Sequence, residues 1–325
     1  MWPGFDEMYI RDIDLKLQDW QFCQRKYLDY ETKLRLSAAR ITDWYEYHDG
    51  NVYTSFSGGL DSVVLADMVD RVLGVKIPRV FVDTGLEFPE IREFVQTFDN
   101  VVMIKPDIPF RDVILSKGYP LVSKETAAKI RKLRNGNLSP RYRNYLLHGD
   151  ERGKLGKLSE CWKFLISAPF DTSEECCLIT KEKPLNDYAR QTGRVPYVGI
   201  TQDEGFMRQR QYNRTGCNSY HADRPKSQPL GFWPRQDILR YIVENRLRYC
   251  EVYGDIRQCN GALYTTGEQR TGCMYCAMGC HLEGTPNRYQ RLRVTHSKIY
   301  EYVMKPISIG GMGYDYVLNY CEFAH

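Results

Sequence analysis

The chain has 325 residues, 45 Lys and Arg against 41 Asp and Glu, a formal charge of +4 and 42% hydrophobic residues; this is the balance of an ordinary globular protein of one or two domains. No apolar run reaches the length of about 18 residues that a membrane span needs, and the first residues lack a charged-then-apolar leader, so the expectation is a cytoplasmic protein without membrane contact. Eleven cysteines are too few for a small disulfide scaffold, and their clustering points to metal or redox chemistry in a reducing compartment.

From about Asp12 to Tyr47 apolar residues recur near helical spacing (Leu15, Trp20, Phe22, Leu28, Ile41 and Trp44 among them), which predicts an N-terminal helical segment over 1–47. The pattern then changes. Short β-rich runs "VYTSF", "RVFVDT" and "VVMIK" alternate with helix-like "LDSVVLADMVDRV" and "PEIREFVQTF", and a later strand "VPYVGIT" follows "LNDYARQTG". Strand alternating with helix predicts an α/β fold whose mostly parallel sheet is covered on both faces. A basic insertion over 124–165 interrupts it; between Lys124 and Lys163 eleven Lys or Arg face four acids, a local +7 that leaves −3 for the rest of the chain. Past about Arg248 the chain is Cys- and Gly-rich and ends in a small helical tail. The expected division is therefore 1–47, an α/β domain over 48–247, and a Cys-rich region over 248–325.

Between the first strand and its helix stands "SFSGGLDS", Ser55 to Ser62. Glycines let the backbone approach a phosphate, a helix start presents free N–H groups, and serine hydroxyls add donors. A tight turn capped by Asp61 or Ser62 is the plainer alternative. The loop has neither the Lys of GxxxxGK[ST] nor GxGxxG spacing. With Ser57, Gly58, Gly59, Asp61 and Ser62 in the order SGGxDS, the chain resembles the PP-loop family of ATP pyrophosphatases and sulfonucleotide reductases, and this form is more similar to the ATP-cleaving members. The resemblance implies a Rossmann-like, doubly wound sheet of the adenine nucleotide alpha hydrolase type. It also implies that Ser55, the loop, and Asp83, Thr84 and Gly85 of "FVDTGLEF" lie along an adenine nucleotide such as ATP with Mg²⁺. Lys124 in "VSKE" is similar to a family position near the phosphates. Taken alone, the first of these segments reads as an ordinary strand-turn-helix and the second as a solvated lysine.

Two cysteine pairs follow. "ECCLITKEKPL" holds Cys176 and Cys177; "TGCMYCAMGC" holds Cys273, Cys276 and Cys280. A CxxC spacing lets two thiolates converge, and two pairs make four ligands; for a bare CxxC, zinc, a redox disulfide and chance remain open. The vicinal pair followed by a distant CxxC resembles iron-sulfur sulfonucleotide reductases, which implies a 4Fe-4S cluster on Cys176, Cys177, Cys273 and Cys276. Cys280 is left as a surplus thiol, and Cys23 and Cys161 as tolerated ones. "VGITQDEGFMRQRQ" resembles the family's stretch with substrate-side Glu and Arg, here Glu204 and Arg208. "QPLGFWPRQDILRYI" resembles its PLxxW…D run, in which Trp233 and Asp237 would begin and orient a helix.

The tail departs from the family. Assimilatory reductases carry a nucleophilic Cys in a tail like ECGLH, whereas this chain ends "NYCEFAH", with Cys321 in an apolar helical pattern that predicts packing. The leading expectation is thus ATP-driven adenylation of a substrate for sulfur transfer, similar to Dnd/Ssp-type DNA phosphorothioation proteins. It brings DNA or another nucleic acid to the basic insertion and a cysteine desulfurase or other sulfur donor as partners. Reduction of adenylyl sulfate or its 3′-phosphorylated form to sulfite is the alternative, and a non-catalytic nucleotide-sensing or DNA-binding iron-sulfur subunit the third.

Overall fold

The computed structural model describes residues 18–201, 212–220 and 223–325. Among them the strands are β1 (Val52–Ser55), β2 (Arg79–Val82), β3 (Val101–Ile104), β4 (Leu121–Val122), β5 (Val195–Val198), β6 (Asn218–Ser219), β7 (Lys226–Ser227), β8 (Ile256–Cys259), β9 (Ala262–Thr265) and β10 (Ala277–Met278). The chain divides into two compact units. One comprises Met1–Asp83, Phe88–Ile104 and Leu185–Thr271; the other comprises Thr84–Glu87, Lys105–Pro184 and Gly272–His325. No helix among the described residues is long and apolar enough to cross a membrane.

The first unit is built on a six-stranded sheet of order β3-β2-β1-β5-β7-β6. It is parallel except for β6, which runs antiparallel to β7 at the edge. The chain fills one side of β1 with β2 and β3, then crosses to the other side for β5, which is the strand order of a doubly wound, Rossmann-like sheet. The expected fold class is met. Parallel strands covered on both faces read as continuous apolar runs, and Val52, Tyr53, Val80, Phe81 and Tyr197 are all at most 2% exposed.

Of the expected helical segment over 1–47, residues 1–17 lie outside the described residues, and the rest holds the helices Asp19–Lys26 and Tyr30–Tyr47. Ser37 of the second donates to the Pro229 carbonyl at 2.8 Å and accepts from the indole N–H of Trp233 at 3.0 Å. Lys33 pairs with Asp237 at 2.7 Å, both side chains largely buried. Asp237 lies in the first turn of the helix Arg235–Glu244 and Trp233 just precedes it, so these two residues do orient a helix.

In the second unit β4 and β10 pair in parallel, Leu121 opposite Ala277 and Val122 opposite Met278. β4 leads into the helix Lys124–Asn135, capped by Ser123, whose hydroxyl accepts from the Thr126 N–H. The helices Pro140–His148, Arg288–Thr295, Ser297–Met304 and Tyr314–Tyr320 complete the regular structure around them.

Candidate functional site

The first unit carries the glycine loop where a doubly wound sheet gathers ligands, at the carboxyl end of β1 beside the point where the strand order reverses. Gly58 has φ +72°, and a Cβ there would lie 2.7 Å from Val95 Cγ2 and 3.0 Å from Ile91 Cγ2. Only glycine satisfies both the left-handed backbone and the packing against the helix Pro89–Gln96. Gly59 is the N-cap of the helix Leu60–Leu73, with no side-chain cap of its own. The serines close round it: Ser57 Oγ accepts from the Gly59 N–H at 3.3 Å and lies 3.2 Å from Ser62 Oγ, and Ser62 donates to the Gly59 carbonyl at 2.8 Å. Asp61 stands in the first turn of the helix. The structure thus brings Ser57, Gly58, Gly59, Asp61 and Ser62 onto one helix start, with Ser55 ending β1 just before them.

Two further groups reach this loop. The Tyr253 hydroxyl, almost fully buried, accepts from the Leu60 N–H at 3.4 Å and lies 2.6 Å from Thr271 Oγ1. Gly199, directly after β5, packs against the same first turn; a Cβ on it would lie 3.1 Å from the Ser62 N and from the Asp61 carbonyl. We expect Tyr253→Phe to raise the KM for nucleotide roughly 2- to 10-fold with kcat unchanged, the effect of losing one ordinary hydrogen bond that positions the loop. Steady-state kinetics of the variant check it. Glu204 and Arg208 lie outside the described residues.

Asp83 follows β2, the strand beside β1, and its carboxylate is buried and paired with Arg92 at 2.8 Å. Thr84 and Gly85, its sequence neighbours, belong to the second unit. There the Thr84 N–H and hydroxyl both donate to the Glu87 carboxylate, at 3.0 and 2.8 Å, and Lys181 pairs with Glu87 at 3.2 Å.

Lys181 leads to the cysteines. Cys176 and Cys177 open a helical stretch whose turn Leu178–Glu182 is π-helical, and the Thr180 hydroxyl donates to the Cys176 carbonyl at 2.8 Å. Single π-turns inside helices recur at functional sites because they re-aim the side chains around them. Cys273 and Cys276 stand on a turn closed by the Cys276 N–H and the Cys273 carbonyl at 3.2 Å. That turn is tied on three sides. The Met274 N–H donates to the Leu86 carbonyl at 2.9 Å, the Tyr289 hydroxyl to the Tyr275 carbonyl at 2.9 Å, and the Arg288 guanidinium to the Cys276 carbonyl at 2.6 Å.

The four thiols act on one another's protonation. The Cys176 thiol donates to Cys177, and that bond, with burial and the neighbouring Cys273 and Cys276 sulfurs, holds Cys176 far above the usual thiol range. Cys177 is held below it, first by the bond from Cys176 and then, against burial, by the ammonium groups of Lys124 and Lys181. Burial pushes Cys276 up to about 12. Burial also raises Cys273, opposed by Lys181, which donates to it. Lys181 stays an ammonium although burial disfavours its charge, because Cys273 and Glu87 face it. Lys124, expected from its sequence context near phosphates, faces Cys177.

Lys181 was not singled out by the sequence. The available signal was spacing: Lys181 lies four residues after Cys177, one helical turn on. Among the described residues no three His, Cys, Asp or Glu side chains share a position that a single metal ion could occupy. The donor set itself is nonetheless four soft sulfurs in mutual range, with cations set against the charge that thiolates would carry.

Of the remaining thiols, Cys280 is buried and its thiol is pushed up to about 11 by that burial. Cys23 and Cys161 are exposed. Cys321 caps the last helix, is 6% exposed, and burial pushes its thiol up to about 12. It is a packing residue, as its apolar surroundings in sequence predict.

Comparison with known proteins agrees with these motifs. An adenosine 5′-phosphosulfate reductase of Oceanobacillus iheyensis is 24% identical over 278 residues, 84% of this chain and 87% of that protein. One of Lysinibacillus sphaericus is 23% identical over 244 residues, 74% of this chain and 79% of its own. An uncharacterized protein of Methanocaldococcus jannaschii is 25% identical over 293 residues, 86% of this chain but 56% of that longer protein. Among solved structures, the phosphoadenylyl-sulfate reductase of Candida auris aligns with 80% of this chain and 98% of its own at 15% identity and a TM-score of 0.38. The family model described as the phosphoadenosine phosphosulfate reductase domain matches residues 51–135 and 143–282, a span that holds the glycine loop and both cysteine pairs. The chain belongs to the phosphoadenosine phosphosulfate reductase domain family.

Proposed function

We propose that this protein is an ATP-cleaving member of the family that adenylates an acceptor so that sulfur can be installed on it. The observation that carries this reading is the loop: Gly58 held left-handed, Gly59 at the helix start, and Ser57 and Ser62 turned onto the same turn. Backbone N–H groups and the positive end of the helix suit the phosphates of a nucleotide. Mg²⁺, when bound, neutralises charge developing on the leaving pyrophosphate, and Asp61 is the loop carboxylate that would hold it. An acceptor oxyanion attacks the α-phosphorus; the new P–O bond forms as the bond to pyrophosphate breaks, and pyrophosphate leaves with the electron pair. Sulfur at the sulfide level then attacks the activated atom and AMP departs. A cysteine desulfurase, whose persulfide a thiol reductant would bring to the sulfide level, or another sulfur donor is the partner this chemistry needs, and a nucleic-acid phosphodiester is an acceptor that would give a phosphorothioate.

The cysteines of the second unit are assigned to a 4Fe-4S cluster held by Cys176, Cys177, Cys273 and Cys276. A zinc ion draws its ligands to one point at about 2.3 Å from each sulfur, whereas a cubane spreads four cysteines over four irons. The vicinal pair with a distant CxxC, and four thiols that act on one another's protonation, support the second. The cluster, when bound, would supply electron transfer or a fixed charge. Lys124 and Lys181 offset the anionic charge of its ligands.

Sulfonucleotide reduction is the second reading, favoured by the relatives named adenosine 5′-phosphosulfate reductase. The buried Cys321 opposes it, since a thiol raised to about 12 and packed inside is a poor nucleophile. Anaerobically purified protein is given ATP with Mg²⁺ and DNA as the acceptor, and separately adenylyl sulfate with thioredoxin, while pyrophosphate, AMP and sulfite are followed. Pyrophosphate without sulfite is the expected result; sulfite from adenylyl sulfate would replace this reading with the reductase. Cys321→Ala should lower stability by about 1 to 2 kcal/mol through a lost buried group and leave pyrophosphate release unchanged, whereas loss of sulfite release in this variant would make Cys321 the nucleophile.

A further inference from the structure

We infer that the basic insertion carries a binding platform for single-stranded polynucleotide, in which Tyr142 offers its ring to a base and the cations around it hold backbone phosphates. The inference deepens the activation reading by naming the acceptor's chemical class, and for that role it rests on it. The platform is contiguous. Lys132, on the helix Lys124–Asn135, donates to the Tyr142 hydroxyl at 3.3 Å with its ammonium 5.7 Å from the ring centroid. The Tyr142 and Tyr145 rings lie nearly parallel, 16° apart with centroids 6.3 Å apart, on the helix Pro140–His148. The Tyr145 ring covers Gly156, where a Cβ would lie 2.0 Å from its Cζ, so the loop bearing Arg152 and Lys154 is packed against the ring pair.

The charge on this surface is not cancelled locally. Of the four acids in the segment, Glu125 is paired with Lys129 and Glu160 with Lys163, and the exposed Glu151 directly precedes Arg152. Asp150 is used within its loop, accepting from the Lys154 and Leu155 N–H groups. Among the described residues, Lys132, Arg141, Arg152 and Lys154 have no carboxylate within ion-pair distance. Lys132 lies against the Tyr142 ring, Arg141 directly precedes Tyr142 in the chain, and the two tyrosines are 38% and 36% exposed. Cations beside a stacked aromatic surface are what sequence-tolerant single-strand binding uses, since every base has a π-face and every nucleotide a phosphate.

The test uses anaerobically purified full-length protein and a fluorescein-labelled 20-nucleotide single-stranded DNA of mixed sequence, with the matching duplex and polyglutamate as competitors, read by anisotropy across a salt series. The single strand is expected to bind, to be displaced less well by duplex than by unlabelled single strand, and not to be displaced by polyglutamate at equal charge. Tyr142→Ala should weaken binding about 5- to 150-fold, the range for losing one stacked base, without changing the salt slope. Tyr142→Phe, which keeps the ring, should bind nearly as the unaltered protein does. The double variant Arg141→Glu with Arg152→Glu should instead flatten the log-log salt slope by about 1.4, two single-strand phosphate contacts. Equal displacement by polyglutamate, equal affinity for duplex and single strand with Tyr142→Ala silent, or no binding at low salt would each overturn the inference. The affinity of the glycine loop for ATP should be the same in Tyr142→Ala, so failure here and failure of the activation reading give different results.

Discussion

Gly58→Ala should destabilise the protein by about 2 to 5 kcal/mol and leave nucleotide binding at least about 10-fold weaker. The left-handed backbone alone costs an alanine about 1 to 2 kcal/mol. The methyl group would also stand 2.7 Å from Val95 and 3.0 Å from Ile91, both fully buried, and overpacking of that kind typically costs about 1 to 3 kcal/mol more. Relief requires Gly58 to move away from the helix Pro89–Gln96, and that movement takes the Ser57 hydroxyl and the Gly59 N–H with it. Denaturant unfolding and a nucleotide titration measure the two effects separately. Wild-type stability in this variant would mean that the loop is not held as described, and unchanged nucleotide affinity would remove the loop from the binding site.

Cys276→Ser should strip the anaerobically purified protein of its broad visible absorption and lower iron per chain by at least about 10-fold, since loss of even an outer partner of a metal ligand has effects of that size. A hydroxyl is a poor soft ligand. Cys280→Ser is the matched control. Cys280 is also buried and lies four residues on, but the protonation of the four assigned thiols answers to one another and not to it. It should keep its iron. Iron retained in Cys276→Ser and lost in Cys280→Ser would move the ligand set, and zinc recovered in place of iron would replace the cluster.

The charge around the cysteines gives the second unit its chemical character. Lys181 stands, half-buried, between the buried Glu87 carboxylate and Cys273, and an ammonium partly withdrawn from water is favoured where an anion faces it. Thr84, which the sequence placed beside a nucleotide, spends both its donors on Glu87 and so fixes the carboxylate that Lys181 needs. The "DTG" segment therefore divides its work: Asp83 serves the sheet unit through Arg92, and Thr84 serves the thiol unit through Glu87.

Features set by local physics were legible in the sequence. β1, the two glycines and the helix Leu60–Leu73 follow from apolar periodicity and from the conformations only glycine adopts, all within about two dozen residues. The cysteine pairs announced themselves by spacing, and the apolar pattern around Cys321 predicted its burial. The contacts that make a site of these motifs were not legible, because they join residues distant in sequence. Tyr253 reaches Leu60 across 193 residues, and Lys181 meets both Glu87 and Cys273. A side chain's burial and the charge that faces it belong to the folded contact and not to the local string, so the sequence named the loop and the thiols, while the tertiary structure decided which hydroxyl braces the first and which lysines stand against the second.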